Sequence, residues 1–157
     1  MASKAFNKIH STIWRSLRFQ ALGTAERLLM FYFMTCEHQT SAGAYRIPDG
    51  YAAADLQWPV DAYVGARSAL IDAGLIGFDR EAETVYVRGW FKLNPPMNEK
   101  HAQGTRRLLE ALESQPIYEE AIVDFEEAYS KKASPGVSAQ LRQSLGSHLT
   151  PMPGGRR

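Results

Sequence analysis

Apolar side chains recur at helical spacing in two stretches of the first half of the chain. Residues 25–36 place leucine, phenylalanine, tyrosine and methionine around most of a helical circumference. This pattern predicts a helix at the centre of its domain. The hydroxyl of Thr24 is the predicted N-cap of that helix. The second stretch, residues 60–73, predicts another helix, and Gly74 stands where a left-handed residue commonly ends one.

Short elements fill the space around these two helices. Residues 44–47 predict a strand and residues 51–56 a small alanine-rich helix, followed by a tight turn at 58–59. Beyond Gly74, residues 75–78 and 84–87 are apolar runs with alternating β-branched and aromatic residues on either side of a charged turn, which predicts a β-hairpin. The order of helix, strand, helix, turn, helix and hairpin predicts an α+β fold of the winged helix-turn-helix class, with the hairpin as the wing.

The two ends of the chain predict an arm and a helical extension. Residues 9–22 alternate loosely and are expected to pack on the domain as a short strand or a turn of helix. Helices are predicted over 99–112 and 117–129, the latter with an apolar stripe at Ile117, Ala121, Ile122 and Phe125. This stripe favours either a helix that folds back on the domain or one that pairs in a homodimer.

These patterns divide the chain into four parts. The predicted parts are an N-terminal basic arm with the first packing segment at 1–22, a winged helix-turn-helix domain at 23–95, a helical extension at 96–131, and a disordered tail at 132–157. The chain therefore reads as one globular domain with appendages.

The helix predicted at 60–73 is poorly equipped to read DNA bases. A helical projection puts Val60, Tyr63, Ala66, Arg67 and Leu70 on the core side. The opposite side shows Asp61, Gly65, Ser68 and Asp72. Base edges and phosphates are usually contacted by arginine, lysine, asparagine or glutamine. If DNA is bound, most contacts are therefore expected to come from outside this helix.

Charge is balanced overall but unevenly distributed. The chain has 18 basic and 17 acidic side chains, yet residues 1–20 contain four cations and no acid. Such an arm suits phosphate, because neutralised phosphates release counterions. Adding residues of the predicted turn, wing and post-wing segment gives these candidate DNA-binding positions: Lys4, Lys8, Arg15, Arg18, Gln57, Ser68, Arg80, Arg88 and Lys92.

Signals for other kinds of chemistry are absent from the sequence. Cys36 is the single cysteine, and the four histidines are scattered without metal-ligand spacing. There is no phosphate-binding glycine loop and no recognisable catalytic cluster. We therefore expect a protein that is not an enzyme and needs no cofactor or metal. No apolar run is long enough to span a membrane and no secretion signal is seen, so a cytoplasmic location in a bacterial host is expected.

Four segments of residues 10–115 carry a family resemblance. They read IWRSLRF at 13–19, TAERLL at 24–29, GAYRIP at 43–48, and VRGWFK at 87–92 continuing as NPPMNEKHAQG at 94–104. The last is the most specific, because the fold alone does not demand it. Together they resemble the N-terminal winged-helix domain of phage replication-initiation proteins, also called replisome organisers.

The resemblance implies binding to double- or single-stranded DNA during phage or prophage replication. It also implies recruitment of a helicase or helicase loader as a protein partner. Two alternatives stay open from the residues themselves. The chain could be a transcriptional regulator, or a protein-docking winged-helix module such as a phage-encoded inhibitor or adaptor of a host protein, because Asp61 and Asp72 would repel phosphate.

Overall fold

The computed structural model describes residues 6–133 of the chain. A short 3-10 turn at Ser11–Arg15 opens the fold. It is followed within the described residues by seven α-helices and three β-strands. These are α1 (Leu17–Gln20), α2 (Thr24–Thr35), β1 (Ala44–Arg46), α3 (Asp49–Leu56), α4 (Val60–Asp72), β2 (Ile76–Asp79), β3 (Thr84–Val87), α5 (Trp90–Leu93), α6 (Glu99–Glu110) and α7 (Gln115–Ala133).

The three strands form one antiparallel sheet in the order β1, β3, β2. Strand β3 is central: Val85 lies opposite Tyr45 on one side and opposite Phe78 on the other. The predicted hairpin is therefore present as β2 and β3. The α+β class is confirmed, and the arrangement is compatible with a winged-helix-like order of elements.

Helices α2 and α4 supply most of the core that faces the sheet. Leu29 and Phe33 of α2 and Tyr63 and Leu70 of α4 are completely buried. The ring of Phe33 meets that of Tyr63 edge-on, with 6.3 Å between centroids. Burial of each such side chain stabilises the folded state by on the order of 1.5–3 kcal/mol. Helix α4 also contacts α3 and β2, so this core holds those elements in place.

Helix α7 folds back across the sheet. Ile117, Ala121 and Phe125 of its predicted stripe are buried, and Ile122 is half-buried. At the sheet, the hydroxyl of Tyr86 donates a hydrogen bond of 2.7 Å to Asp124. Of the two alternatives for the stripe, the structure shows contacts within the chain.

Several local predictions were wrong in detail. Gly23, not Thr24, is the N-cap of α2, and no side chain caps that end. Val60 is half exposed rather than in the core, because it lies in the first turn of α4. The short helix α5 was not predicted. Residues 9–22 contain the 3-10 turn and α1, which agrees with the helical alternative.

The C-terminal helix is longer than predicted. Helix α7 continues through Ala133 and so passes the start of the predicted tail at 132. The rest of that tail, residues 134–157, lies outside the described residues, as does Lys4 in the predicted arm.

Candidate nucleic-acid interface

The outward face of α4 carries no cation. Asp61, Gly65, Ser68 and Asp72 are exposed on it, and the hydroxyl of Ser68 donates to the carbonyl of Val64 at 3.0 Å. An acidic face of this kind repels phosphate, which disfavours contact between α4 and a DNA backbone.

The single basic residue of α4 is turned inward. Arg67 is 3% exposed, forms an ion pair with Asp49, and lies over the ring of Phe78 with 3.9 Å from its guanidinium carbon to the ring centroid. Stacking and pairing fix this guanidinium in the core. It is therefore committed to holding α3, α4 and β2 together.

Helix α5 is locked into place by its own flanking residues. Gly89 before it adopts a left-handed conformation (φ 77°), and the indole nitrogen of Trp90 donates to the carbonyl of Ser41 at 3.1 Å. Asn94 ends the helix, with its side-chain amide donating to the carbonyl of Trp90 at 3.3 Å. Pro95 and the proline after it cannot continue a helix. This short helix is thus a rigid platform at the end of the hairpin.

The N-terminal segment runs along α5. The side-chain amide of Asn7 donates to the carbonyl of Thr35 at 3.3 Å, and the Nε2 atom of His10 lies 3.1 Å from the carbonyl oxygen of Leu93. These contacts hold Lys8 between two cavities of about 190 and 280 Å³, both of which are also lined by Trp90. The ammonium group of Lys8 is therefore presented beside α5.

The end of α7 reaches the same place from the other side. The ammonium group of Lys132 donates to the carbonyl of Met97 at 2.8 Å and to that of Pro96. Lys92, Lys131 and Lys132 line one cavity of about 470 Å³. We call the exposed group Lys8, Lys92, Lys131 and Lys132 the α5 basic surface.

Acidic residues within this surface neutralise only part of its charge. Glu127 accepts a hydrogen bond from Lys131 at 2.5 Å, and Asp124 lines the same cavity. The hydrogen bond from Lys131 is the main reason that the pKa of Glu127 is lowered, and the charge of Lys92 lowers it further. In this cavity two carboxylates thus lie beside three ammonium groups, and Lys8 lies outside it.

Two predicted arginines near the base of the hairpin already have partners. Arg18 donates to the carbonyl of Gly74 at 3.2 Å, just past the end of α4. Arg88 donates to both carboxylate oxygens of Glu120, at 2.5 and 3.3 Å, and this hydrogen bonding raises its pKa. Arg88 is therefore paired with Glu120 and links α7 to the hairpin.

The remaining predicted positions do not join the α5 basic surface. Arg15 is exposed at the end of the 3-10 turn, and Gln57 caps the end of α3 in a left-handed conformation (φ 56°). Arg80 is exposed in the turn of the hairpin, where Glu81 and Glu83 also lie. Glu83 is paired with Arg46 at 2.5 Å. Among the predicted residues, Lys8 and Lys92 belong to the α5 basic surface, whereas Arg88 is paired with Glu120.

Sequence reasoning missed Lys131 and Lys132. The predicted helix ended at residue 129, whereas the stretch Ser130-Lys131-Lys132-Ala133 contains no helix breaker before Pro135. Extending the helix towards that proline would have placed both lysines almost two turns beyond Phe125, the last residue of the apolar stripe.

The charges of the whole chain are strongly segregated. All 17 acidic side chains lie within residues 26–127, together with nine cations. Residues 1–25 have four cations and no acid, and residues 128–157 have five and no acid. Among the described residues, Lys8 from the N-terminal segment and Lys131 and Lys132 from the end of α7 lie around α5 together with Lys92.

Searches against protein families, curated proteins and solved structures found no match to this chain. No helix among residues 6–133 combines the length and the apolar character needed to cross a membrane. Over the same residues, no group of three or more histidine, cysteine, aspartate or glutamate side chains is placed to hold a metal ion.

Proposed function

We propose that this protein is a DNA-binding winged helix-turn-helix protein of phage or mobile-element origin that acts in replication initiation in the bacterial cytoplasm. Helices α3 and α4 would form the helix-turn-helix, and β2 and β3 the wing. The gathering of Lys8, Lys92, Lys131 and Lys132 around α5 is the observation that carries the proposal. DNA would be held there through its phosphates, with α4 facing away from the bases.

The chemistry of the α5 basic surface fits this role. Lysine ammonium groups bind phosphate as flexible point charges, and they do so without reading sequence. An acidic body between basic ends would also orient the protein on a polyanion, since the body is repelled and the ends are attracted. The expected binding is therefore salt-sensitive and weakly sequence-specific.

The family resemblance supports the same surface. Its most specific stretch, residues 87–104, contains the end of β3, all of α5, the loop after it and the start of α6. In this proposal those residues build the platform beside which Lys8, Lys92 and Lys132 lie. Recruitment of a helicase or helicase loader would then follow DNA binding.

Fluorescence anisotropy with labelled single- and double-stranded DNA tests the proposal. A variant carrying Lys8→Gln, Lys92→Gln and Lys132→Gln is compared with the wild type over a range of salt. Each lost phosphate contact should reduce the slope of log affinity against log salt by about 0.9 on duplex and about 0.7 on single strands. We expect the slope to fall by roughly two to three.

The matched control removes the same charge elsewhere. Arg46→Gln, Arg80→Gln and Arg107→Gln change exposed cations of β1, the hairpin turn and α6. This control should keep the wild-type slope. Absence of DNA binding by the wild type at low salt, or equal losses in the two triple variants, would refute the proposal.

A second candidate function is a protein-docking module, and the acidic outward face of α4 favours it. Its Asp61 and Asp72 are exposed, and the one cation of the helix, Arg67, is buried on the opposite side. Such a surface suits a basic protein partner. A purified host replicative helicase or its loader that binds the wild type but not an Asp61→Lys, Asp72→Lys variant would support this candidate.

A further inference from the structure

An apolar groove lies directly beside the α5 basic surface. Phe6 and Met97 are each 70% exposed and Leu93 is 41% exposed, although all three are large apolar side chains. They line one cavity of about 280 Å³ together with Trp90 and Lys8. No carboxylate is among the residues that line it. The groove thus combines exposed apolar walls with a cation at its edge.

Hydrogen-bonding groups also line the groove. The Nδ1 atom of His101 accepts a hydrogen bond from the backbone N–H of Met97 at 3.0 Å. In that tautomer the proton of the neutral ring is on Nε2, which makes Nε2 a donor. Asn94 and Ser41 also line the groove, but the amide of Asn94 donates to the Trp90 carbonyl and the hydroxyl of Ser41 is hydrogen-bonded to Thr105. The Nε2 donor of His101 can meet the edge of a flat polar ring while the apolar side chains meet its faces.

Hydrogen bonds within the protein hold both walls of the groove in place without a ligand. Asn7, next to Phe6, is tied to the end of α2, and His10 is tied to the end of α5. Met97 is fixed on the other wall, because its N–H binds His101 and its carbonyl accepts from Lys132. A preformed groove loses less conformational entropy on binding than one that must be assembled.

We infer that this groove binds an unpaired nucleobase of single-stranded DNA, with Phe6 and Met97 against its faces and Lys8 at the adjoining phosphate. The inference rests on the proposed DNA-binding function and adds a preference for single strands. Bases in a duplex are stacked on each other and cannot enter the groove. Stacking of a base on an aromatic side chain such as Phe6 tolerates any sequence, because every base has a π-face.

Charge favours this occupant over an apolar peptide. Lys8 borders the groove, and Lys132 is bonded to its Met97 wall. A nucleotide satisfies both the apolar walls and this positive rim, whereas an apolar segment would leave the lysines unused.

Anisotropy of a labelled 20-nucleotide oligothymidine and of a mixed-sequence duplex of the same length tests the inference. The variant is Phe6→Ala with Met97→Ala, and the control is Val123→Ala on α7, which removes an apolar side chain that is 65% exposed. We expect the double variant to bind the single strand at least fivefold more weakly and the duplex within twofold of wild type. Unchanged circular dichroism of the variants checks their folding.

The outcomes separate this inference from the proposed function. Wild-type binding to duplex with no loss on the single strand in the double variant would overturn the groove and leave the proposed function standing. Equal loss on both DNA forms would also overturn it, since the groove would then not distinguish them. A wild type that binds neither form would overturn both.

Discussion

At Gly43 the main chain passes so close to the indole of Trp90 that only glycine fits. Its φ is +64°, and a Cβ atom placed there would lie 2.2 Å from Cγ of Trp90. This contact sets the position of α5, because Trp90 is its first residue and also binds the carbonyl of Ser41.

Gly43→Ala is therefore expected to lower the free energy of unfolding by about 3 kcal/mol or more. A left-handed conformation costs an L-residue roughly 1–2 kcal/mol, and overpacking adds about 1–3 kcal/mol. Urea denaturation followed by circular dichroism measures the loss. Gly104→Ala is the matched control, since this glycine is in α6 and an added Cβ would meet nothing within 4 Å. The control should gain about 0.5–1 kcal/mol, and a similar loss in both variants would contradict the explanation.

At the scale of elements, Ser114 joins the start of α7 to the hairpin. Its hydroxyl donates to Asp79 of β2 at 2.6 Å and accepts from the N–H of Ile117 at 3.3 Å. The hydrogen bond from Ser114 is the main reason that the pKa of Asp79 is lowered. A carboxyl whose pKa is lower in the folded state stabilises the fold above its ordinary pKa. That stabilisation is lost as the pH falls through the folded-state value.

Ser114→Ala should lower the free energy of unfolding by about 1–2 kcal/mol at pH 7 through loss of both contacts. The difference from wild type should narrow towards pH 3, because the part due to ionised Asp79 disappears while the cap on Ile117 remains. Urea denaturation at the two pH values measures this. In an Asp79→Asn background the cost of Ser114→Ala should not change with pH. A cost that is the same at both pH values in the wild-type background would exclude the role given to Asp79.

The elements that the sequence predicts well are those whose own residues determine them. The core-facing residues of 60–73 repeat at helical spacing over several turns. Gly74 follows the end of the helix in a left-handed conformation (φ +69°), as predicted. Helix α5 has only four residues, and its position depends on distant Gly43 and Ser41, so local pattern could not show it. Lys8, Lys92 and Lys132 lie near one another because α7 folds across the sheet. The apolar stripe of α7 fitted a homodimer equally well, so the periodicity alone could not predict this arrangement.

At the scale of the whole molecule, the outward face of α4 is acidic, whereas lysines lie around α5. No residue of α4 lines any of the three cavities around α5. A charge on α4 lies outside these cavities and should act on DNA bound at the α5 basic surface only through solvent, where salt weakens the interaction between exposed charges. If α4 instead lay in the major groove, as the recognition helix of a winged helix usually does, a charge on α4 would affect DNA binding strongly.

Asp61→Lys separates these two modes of binding. If DNA lies on the α5 basic surface, this substitution should change the affinity for duplex by less than about twofold near 0.15 M salt, where screening is strong. If α4 enters the groove, the new lysine should add a phosphate contact and steepen the salt dependence by about one. Lys92→Glu is the reciprocal variant and should weaken binding in the first case only. Anisotropy titrations of both variants over a range of salt concentrations distinguish the two modes. Tighter binding by Asp61→Lys with no effect of Lys92→Glu would show that DNA binds at α4 and not at the α5 basic surface.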